Sequence, residues 1–328
     1  MAVLITGAGL IGCQAAHQLV ERGETPVLFD SAPQINNIGK IVDIAKIKIV
    51  TGDVSESLEL MGIIEKEKID RIIHTAALMT IAMTERPATV IRANIMGMVN
   101  ILEAARIFGL KRIVFTSSST VYRSALPYPK TELLSEDFST MFSSGRPIWM
   151  YATTKLACEQ LGFNYLDTYH VDLVVVRFVG VFGPWVTAVS GTTGKVMREI
   201  TEKFLTEPGV VLDKNFTWSG KSNFLYSKDA AYSTILACFV DNPKSRIYNI
   251  AMSKSYSLAD VVKFLKEINP QVVVEIKEVI EGYFGPTPQQ LTPTLDIAKA
   301  RSELGYKPQY EMASALEDYT QWLKANLS

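Results

Sequence analysis

The sequence predicts an α/β protein: a doubly wound parallel sheet followed by a smaller C-terminal substrate-binding lobe. Three observations carry this. Strand-like and helix-like runs alternate through the first half of the chain, the pattern of a parallel sheet covered on both faces. The stretch from Met1 to Asp30 runs strand, glycine-rich turn, helix and strand, and closes on an acid. Beyond Pro184 the alternation weakens and Gly, Thr and aromatic residues rise.

In the opening stretch, the apolar run Val3, Leu4, Ile5 leads into Thr6, Gly7, Ala8, Gly9, Leu10, Ile11 and Gly12. A glycine triplet by itself marks many ordinary turns. Placed between a strand and a helix it has a chemical reading: Gly7 permits the tight turn, Gly9 lets backbone approach a pyrophosphate, and Gly12 lets helix and strand pack closely. The helix N-terminus then faces the phosphates. Asp30 lies 23 positions after Gly7, near the ~20 expected of the acid that binds an adenosine ribose 2′-hydroxyl. A carboxylate there repels a 2′-phosphate, and the next residue is Ser31 rather than an arginine that would accommodate one. The cofactor expected is therefore NAD rather than NADP.

The remaining elements follow in order. Ile47 to Val50 reads as a third strand ending in Thr51, Gly52 and Asp53, and a helix spans about residues 55 to 66. Ile72 and Ile73 form a fourth strand opening into His74, Thr75, Ala76 and Ala77. Pro87 starts a long helical stretch that ends near Phe108, with Gly109 suited to its C-cap. Arg112 to Phe115 forms the fifth strand, with Thr116, Ser117, Ser118 and Ser119 at its end. Residues 125 to 147, rich in Pro, Ser and charge, read as a surface loop near the site. In open sheets of this kind ligands collect beyond the carboxyl ends of the strands, so these strand ends are the candidate site.

Tyr151 opens a helix that runs to about His170, and Lys155 follows one turn later, so the two side chains leave one face. Such a pair is common on any helix; the serine cluster about 33 residues upstream, at a strand end, gives it chemical weight. A sixth strand, Leu173 to Val176, leads into Arg177, Phe178, Val179, Gly180, Val181, Phe182, Gly183 and Pro184. The expected division is residues 1–184 for cofactor and catalysis and 185–328 mainly for substrate, with residues of about 220–250 returning to the first unit. An amphipathic helix from Leu258 to Ile268 and a final helix close the chain.

Bulk properties exclude other classes. The 328 residues are 48% hydrophobic and 20% charged with a formal net charge of -1, which gives no electrostatic case for nucleic acid or anionic membrane. No run reaches the ~18 apolar residues of a membrane span, and the first strand starts too early for a signal peptide, so a cytoplasmic protein is expected. Cys13, Cys158 and Cys238 lack metal-ligand spacing and read as buried thiols. The three histidines are not paired, so no metal is expected.

Taken together, TGAGLIG, Gly52 to Val54, HTAA, Asn94 with Gly97 and Asn100, FTSSSTVY, YATTK, RFVGVFGP, FLYSKDAA and LGYKP resemble, in order, the extended short-chain dehydrogenases/reductases of the NAD-dependent epimerase/dehydratase type. The likeness covers essentially the whole chain and implies a Rossmann-type fold. It also implies that Asp53 and Val54 flank the adenine, that Ser118 and Tyr151 face the substrate, and that Lys155 holds the nicotinamide ribose. The cofactor set it implies is Gly7, Gly9, Leu10, Ile11, Gly12, Asp30, Ser31, Asp53, Val54, Thr75, Ala76, Ala77, Asn94, Thr116, Tyr151, Lys155, Phe178 and Val181. Substrate contacts fall to Leu78, Ser118, Ser119, Gly180 and Trp185; Trp149, Trp218 and Tyr226 are further candidate pocket walls, with a core role the alternative, and the family likeness implies a homodimer.

The chemistry follows from the side chains. Removing hydride from a secondary alcohol requires the hydroxyl to lose its proton. Tyr151 is the candidate base; its phenol, ordinarily near pKa ~10, would be drawn down by Lys155 and a positive nicotinamide. Ser118 would hold the alcohol oxygen.

Two departures bear on the substrate. Nucleotide-sugar members carry an asparagine where Gly180 stands, and an arginine just ahead of the segment matching Phe224, where this chain has Ser222 and Asn223. The stretch GYFGPTPQQLTPTLD also lacks arginine. A diphosphate without its bidentate partners loses several kcal/mol, so a non-nucleotide sugar, sugar acid or hydroxy acid is expected, acted on by an NAD-dependent dehydrogenase. An epimerase that retains its NAD is the alternative, and a non-catalytic NAD-binding protein a remote third. Nucleotide-sugar dehydratases carry Thr-Asp-Glu where this chain has Ser117, Ser118 and Ser119, so elimination is disfavoured.

Overall fold

A computed structural model describes residues 2–79, 85–125, 133–138, 140, 149–186, 192–212, 220–276 and 294–326. The first half contains β1 (Val3–Thr6), α1 (Leu10–Glu21), β2 (Val27–Asp30), α2 (Ile35–Ile38), β3 (Lys48–Thr51), α3 (Ser57–Lys66), β4 (Arg71–His74), α4 (Pro87–Ile91), α5 (Gly97–Phe108) and β5 (Arg112–Ser118). After the short β6 (Leu133–Leu134) come α6 (Met150–Tyr169), β7 (Leu173–Phe178), β8 (Gly180–Phe182), α7 (Thr192–Thr206) and β9 (Gly209–Leu212). The chain continues with β10 (Lys221–Tyr226), α8 (Ser227–Phe239), β11 (Ile247–Ile250), β12 (Ser255–Ser257), α9 (Leu258–Ile268), β13 (Val273–Ile276), β14 (Thr294–Leu295) and α10 (Met312–Asn326).

Seven strands form one parallel sheet in the order β11-β7-β5-β4-β1-β2-β3. The reason lies in the strand sequences. In a strand successive side chains point to opposite faces, and here both faces are apolar, so both must be covered. Val3, Ile5, Ile73, Val114, Val174 and Val176 enter a core shared with Cys13, Ala15, Ala16 and Leu19 of α1 and Ala230, Ala231 and Ile235 of α8. Their neighbours Leu4, Ile72, Ile113, Phe115, Leu173 and Val175 enter a second core with Leu60, Ile63 and Ile64 of α3, Ile101 and Leu102 of α5 and Cys158 of α6. The sheet is therefore wound on both sides, as its sequence pattern predicts. Between β1 and β4 the strand order reverses, which opens a crevice at the carboxyl ends.

A third core lies under a smaller sheet of order β12-β10-β8. Phe182, Phe224, Tyr226 and Tyr256 pack there against Met197, Ile200 and Phe204 of α7, Val261 and Leu265 of α9 and Leu316 and Tyr319 of α10. Ser257 caps α9 through a reciprocal bond with Asp260, worth about 1 kcal/mol.

Several elements differ from their sequence expectation. The strands extend further than apolar runs suggest: β5 reaches Ser118 and β7 reaches Phe178, because buried polar residues continue the ladder. The helix expected from Pro87 to Phe108 is interrupted by a π-turn at Arg92–Met96, which turns Asn94 inward. The alanines of α5, Ala104 and Ala105, pack within this chain's own core. Among the described residues no helix is long and apolar enough to cross a membrane.

Candidate active site

The glycine turn is fixed by backbone sterics. Gly7 has φ +93, and a Cβ on it would lie 2.7 Å from the Ala76 amide nitrogen. A Cβ on Gly12 would lie 1.9 Å from the Gly7 carbonyl oxygen. Gly9 is different: its ideal Cβ meets nothing within 4 Å. It is the N-cap of α1 and has no side-chain cap, and the helix holds no acid in its first turn. The helix dipole and its first amides thus face an open space that a side chain would fill, the geometry a pyrophosphate needs.

Asp30, at the end of β2, is tied to this turn. Its Oδ2 accepts from the Ala8 amide at 2.8 Å and its Oδ1 from the Ala32 amide at 2.8 Å, with exposed Ser31 between them. At β4, the Thr75 hydroxyl donates to the carbonyls of Thr6 at 2.8 Å and Gly7 at 3.0 Å, which fastens Thr75, Ala76 and Ala77 beside the turn. Asp53 caps the start of the next turn by accepting from the Ser55 amide at 2.8 Å. Buried Val54 has its carbonyl held by Asn100 at 2.9 Å. Asn94 accepts from the Leu78 amide at 2.8 Å and donates to the Leu78 carbonyl and to Thr154. It therefore joins the strand end after β4 to α6.

Thr116, Ser118, Tyr151 and Lys155 meet where β5 ends against α6. The Lys155 ammonium donates to the Thr116 carbonyl at 2.7 Å and sits 4.6 Å from the centre of the Phe115 ring. Ser118 is 8% exposed and accepts from the Thr120 amide and hydroxyl. Burial pulls the Lys155 ammonium down to about 8, against the opposing pull of Cys158 and Glu159. Burial pushes the Tyr151 phenol up to about 12, with a hydrogen bond from Ser118 working the other way. The lowering expected of Lys155 together with a positive nicotinamide belongs to the cofactor-bound site; in the chain by itself burial is the larger influence on the phenol, and the ammonium donates to a backbone carbonyl.

Behind them lies His74, 1% exposed, stacked on Phe115 at 5.7 Å and bonded through Nδ1 to the Thr6 hydroxyl at 2.7 Å. Burial, and Lys155 secondarily, hold it neutral with a pKa near about 3.

Phe178 and Val181, expected at the cofactor, and the residues expected at the substrate are less tightly gathered. Gly180 and Val181 belong to β8 and pair with Phe224 and Leu225 of β10. A Cβ on Gly180 would meet the Thr193 hydroxyl at 2.4 Å, so α7 fills the place where a larger residue would stand. Phe178 and Trp185, 4% and 7% exposed, belong to the core, while Tyr226 is buried under the smaller sheet. Trp149 is exposed. Ser119 starts a 3-10 turn after β5. Most of residues 125–147, Trp218 and residues 282–293 lie outside the described residues. All three cysteines are buried and free, and no cluster of metal-ligating groups occurs among the described residues.

Two residues escaped the sequence reading. Glu159 and Arg177 form an ion pair at 2.6 Å, 0% and 3% exposed. The signal for Glu159 was its spacing: Tyr151, Lys155 and Glu159 recur every four residues on one helix face.

The model of the NAD dependent epimerase/dehydratase family matches residues 3–251. The chain belongs to this family. It is thus an enzyme of the extended short-chain dehydrogenase/reductase type, with NAD as its cofactor. Along 99% of its length it is 25% identical to the UDP-glucuronate 4-epimerase of Thermodesulfobacterium geofontis, covering 96% of that protein. Among solved structures, UDP-glucose 4-epimerase of Thermotoga maritima superposes with a TM-score of 0.79 at 22% identity, covering 100% of both chains. L-threonine dehydrogenase of Phytophthora infestans does so at 0.80 and 23% identity, covering 99% of each.

Proposed function

We propose that this enzyme is an NAD-dependent sugar epimerase, which oxidises a secondary alcohol of a nucleotide sugar and reduces it again from the other face. The observation that supports it best is the Tyr151, Ser118 and Lys155 constellation at the strand ends, in a chain whose whole length is similar to a UDP-glucuronate 4-epimerase.

In this reading Gly7, Gly9, Leu10, Ile11 and Gly12 receive the pyrophosphate, and Asp30 with Ser31 receives the adenosine ribose. Asp53 and Val54 flank the adenine. Thr75, Ala76, Ala77, Asn94, Thr116, Phe178 and Val181 line the path to the reacting end, and Leu78, Ser119 and Gly180 border the sugar. Bound NAD supplies the hydride acceptor and a positive charge. Ser118 holds the alcohol oxygen while Tyr151 takes its proton, and Lys155 holds ribose and favours the phenolate. Because burial raises the Tyr151 phenol and the Ser118 hydrogen bond only partly opposes it, the positive charges of Lys155 and of the nicotinamide are what draw it down. Each such group contributes ~100-fold or more in rate.

The proposal extends to assembly and setting: a cytoplasmic homodimer, for which exposed Ile91, Met96, Ile107, Phe108 and Tyr169 on and around α4, α5 and α6 supply an apolar surface.

A second reading, a dehydrogenase of a non-nucleotide alcohol, is favoured by one observation. Asn223, where an arginine would grip diphosphate, spends its side chain on scaffold: it donates to the carbonyls of Met252 and Lys254 and accepts from the Leu295 amide at 3.1 Å.

The two readings separate on what the protein carries. An epimerase purifies with close to one NAD per chain and converts UDP-glucuronate or UDP-glucose to the 4-epimer without net NADH. Accumulating NADH from free NAD and sugar acids, hydroxy acids or L-threonine, with no epimer formed, would replace the first reading by the second. Tyr151→Phe keeps NAD binding and loses turnover under either.

A further inference from the structure

A row of three polar residues crosses the sheet beneath the site. Ser117 of β5 is the register partner of Arg177 of β7, and Arg177 is the partner of Asn249 of β11. They are 3%, 3% and 0% exposed. Glu159 of α6 closes the row from above: its Oε1 accepts from the Ser117 hydroxyl at 2.5 Å and from Arg177 Nε at 3.0 Å, and its Oε2 accepts from Arg177 Nη2 at 2.6 Å. The Arg177 guanidinium lies 4.8 Å from the centre of the Tyr122 ring, whose hydroxyl donates to Asn249 at 2.7 Å.

Stability does not call for this arrangement. Two charges taken fully out of water repay little of their desolvation, and apolar residues of similar volume serve a core as well. Its hydrogen bonds end at Ser117 and Glu159, the neighbours of reacting groups, instead. Ser117 is covalently next to Ser118, and Glu159 is one helical turn beyond Lys155. The helix α6 is thus fastened to the end of β5 at two points, by Lys155 on Thr116 and by Glu159 on Ser117.

We propose that Glu159, braced by Arg177, is a positioning residue that sets the register between Ser118 on β5 and Tyr151 on α6. A shift of about 1 Å at a reacting group lowers rate ~100-fold, and a single helix packed on a strand end by apolar contacts alone has no such detent. Lys155 is faced by Tyr151, Cys158 and Glu159 from its own helix and by His74 from β4, with Arg177 of β7 behind Glu159. Glu159 adds a negative charge that favours the ammonium.

The inference rests on Ser118, Tyr151 and Lys155 being the reacting groups, and the test separates the two. In NAD-loaded protein, the Tyr151 phenolate is titrated by near-ultraviolet absorption as the difference from the matching Tyr151→Phe protein. This is done for the parent, for Ser117→Ala and for Glu159→Asp, which keeps the charge and withdraws the carboxylate. Slackening Ser118 removes the hydrogen bond that favours the phenolate, so the midpoint moves to higher pH in both variants, and turnover of UDP-glucuronate falls ~10-fold with KM within ~2-fold. A purely structural role would lower the melting temperature and leave the midpoint where it was. Should Glu159→Asp fail to fold, Ser117→Ala, which only deletes a hydroxyl, decides alone. An unmoved midpoint in Ser117→Ala overturns the inference while leaving the site intact. Full turnover in Tyr151→Phe removes the site assignment itself, and the inference with it.

Discussion

The two sides of the cleft are built from different materials. On the side proposed for the cofactor the shape is made around backbone: the Gly7 turn, the bare N-terminus of α1, two carbonyls held by the Thr75 hydroxyl and the Ala8 amide held by Asp30. On the side proposed for the substrate it is made by side chains of α7 and of the smaller sheet, where Thr193 fills the space beside Gly180, Asn223 ties three segments together and Arg198 grips the Trp185 and Val186 carbonyls. Backbone shape tolerates few residue types at fixed spacing. Side-chain shape can be rebuilt from many combinations, which is how one family can keep its hydride chemistry and exchange its substrates.

That contrast can be broken by substitution, starting with the largest effect. Gly12→Ala places a methyl 1.9 Å from the Gly7 carbonyl; the strand and helix must part, and a loss above ~4 kcal/mol, read by denaturant unfolding, is expected. Gly9→Ala, three residues away, meets open space and a permitted backbone, φ -95. It should lower stability by less than ~1 kcal/mol yet weaken NAD binding at least ~10-fold, measured by calorimetry, because the methyl occupies the phosphate's place. Equal effects of the two would mean that the turn is scaffold only.

On the other side, Asn223→Ala leaves the buried Leu295 amide without its acceptor and should cost about 2 kcal/mol while NAD affinity is unchanged. A drop in NAD affinity comparable to that of Gly9→Ala would erase the distinction between the two sides.

The smallest effect is a pH slope. His74 binds its proton only near pH 3 in the folded chain but near its ordinary 6.5 when unfolded. Between those values the unfolded state holds more protons, so stability falls as pH drops below 6.5, by up to ~1.4 kcal/mol per pH unit. Asp229, whose carboxyl burial raises to about 6 from 3.8, works in the opposite sense over part of that window. The difference between parent and His74→Asn at pH 7 and pH 5 therefore isolates the histidine; parallel curves would show that it does not titrate with unfolding.

The same contrast explains what could be read from the sequence. The glycines, Asp30, the Ser118 strand end and the Tyr151 and Lys155 pair were legible because sterics or helical spacing dictate them. The row of Ser117, Arg177 and Asn249 was not, because its members meet through strand register across separations of 60 and 72 positions. The π-turn around Asn94 left no periodicity to detect in a helix that continues on both sides of it. The balance at the Tyr151 phenol was not legible, because spacing reveals a nearby cation but not the burial that raises the phenol or the lysine's bond to Thr116. The smaller sheet was hidden because its strands are short and largely buried, so alternation is lost.

One consequence concerns how the chain is made. The outer edge of β7, with Val174, Val175 and Val176 wholly buried, is paired by β11, whose residues Ile247–Ile250 come about seventy positions later. During synthesis the big sheet therefore waits, with a valine-rich edge uncovered, until the intervening polypeptide has emerged. Such an edge is a template for another chain. A fragment stopped at Pro184 would keep every element of the glycine turn and still be prone to aggregate.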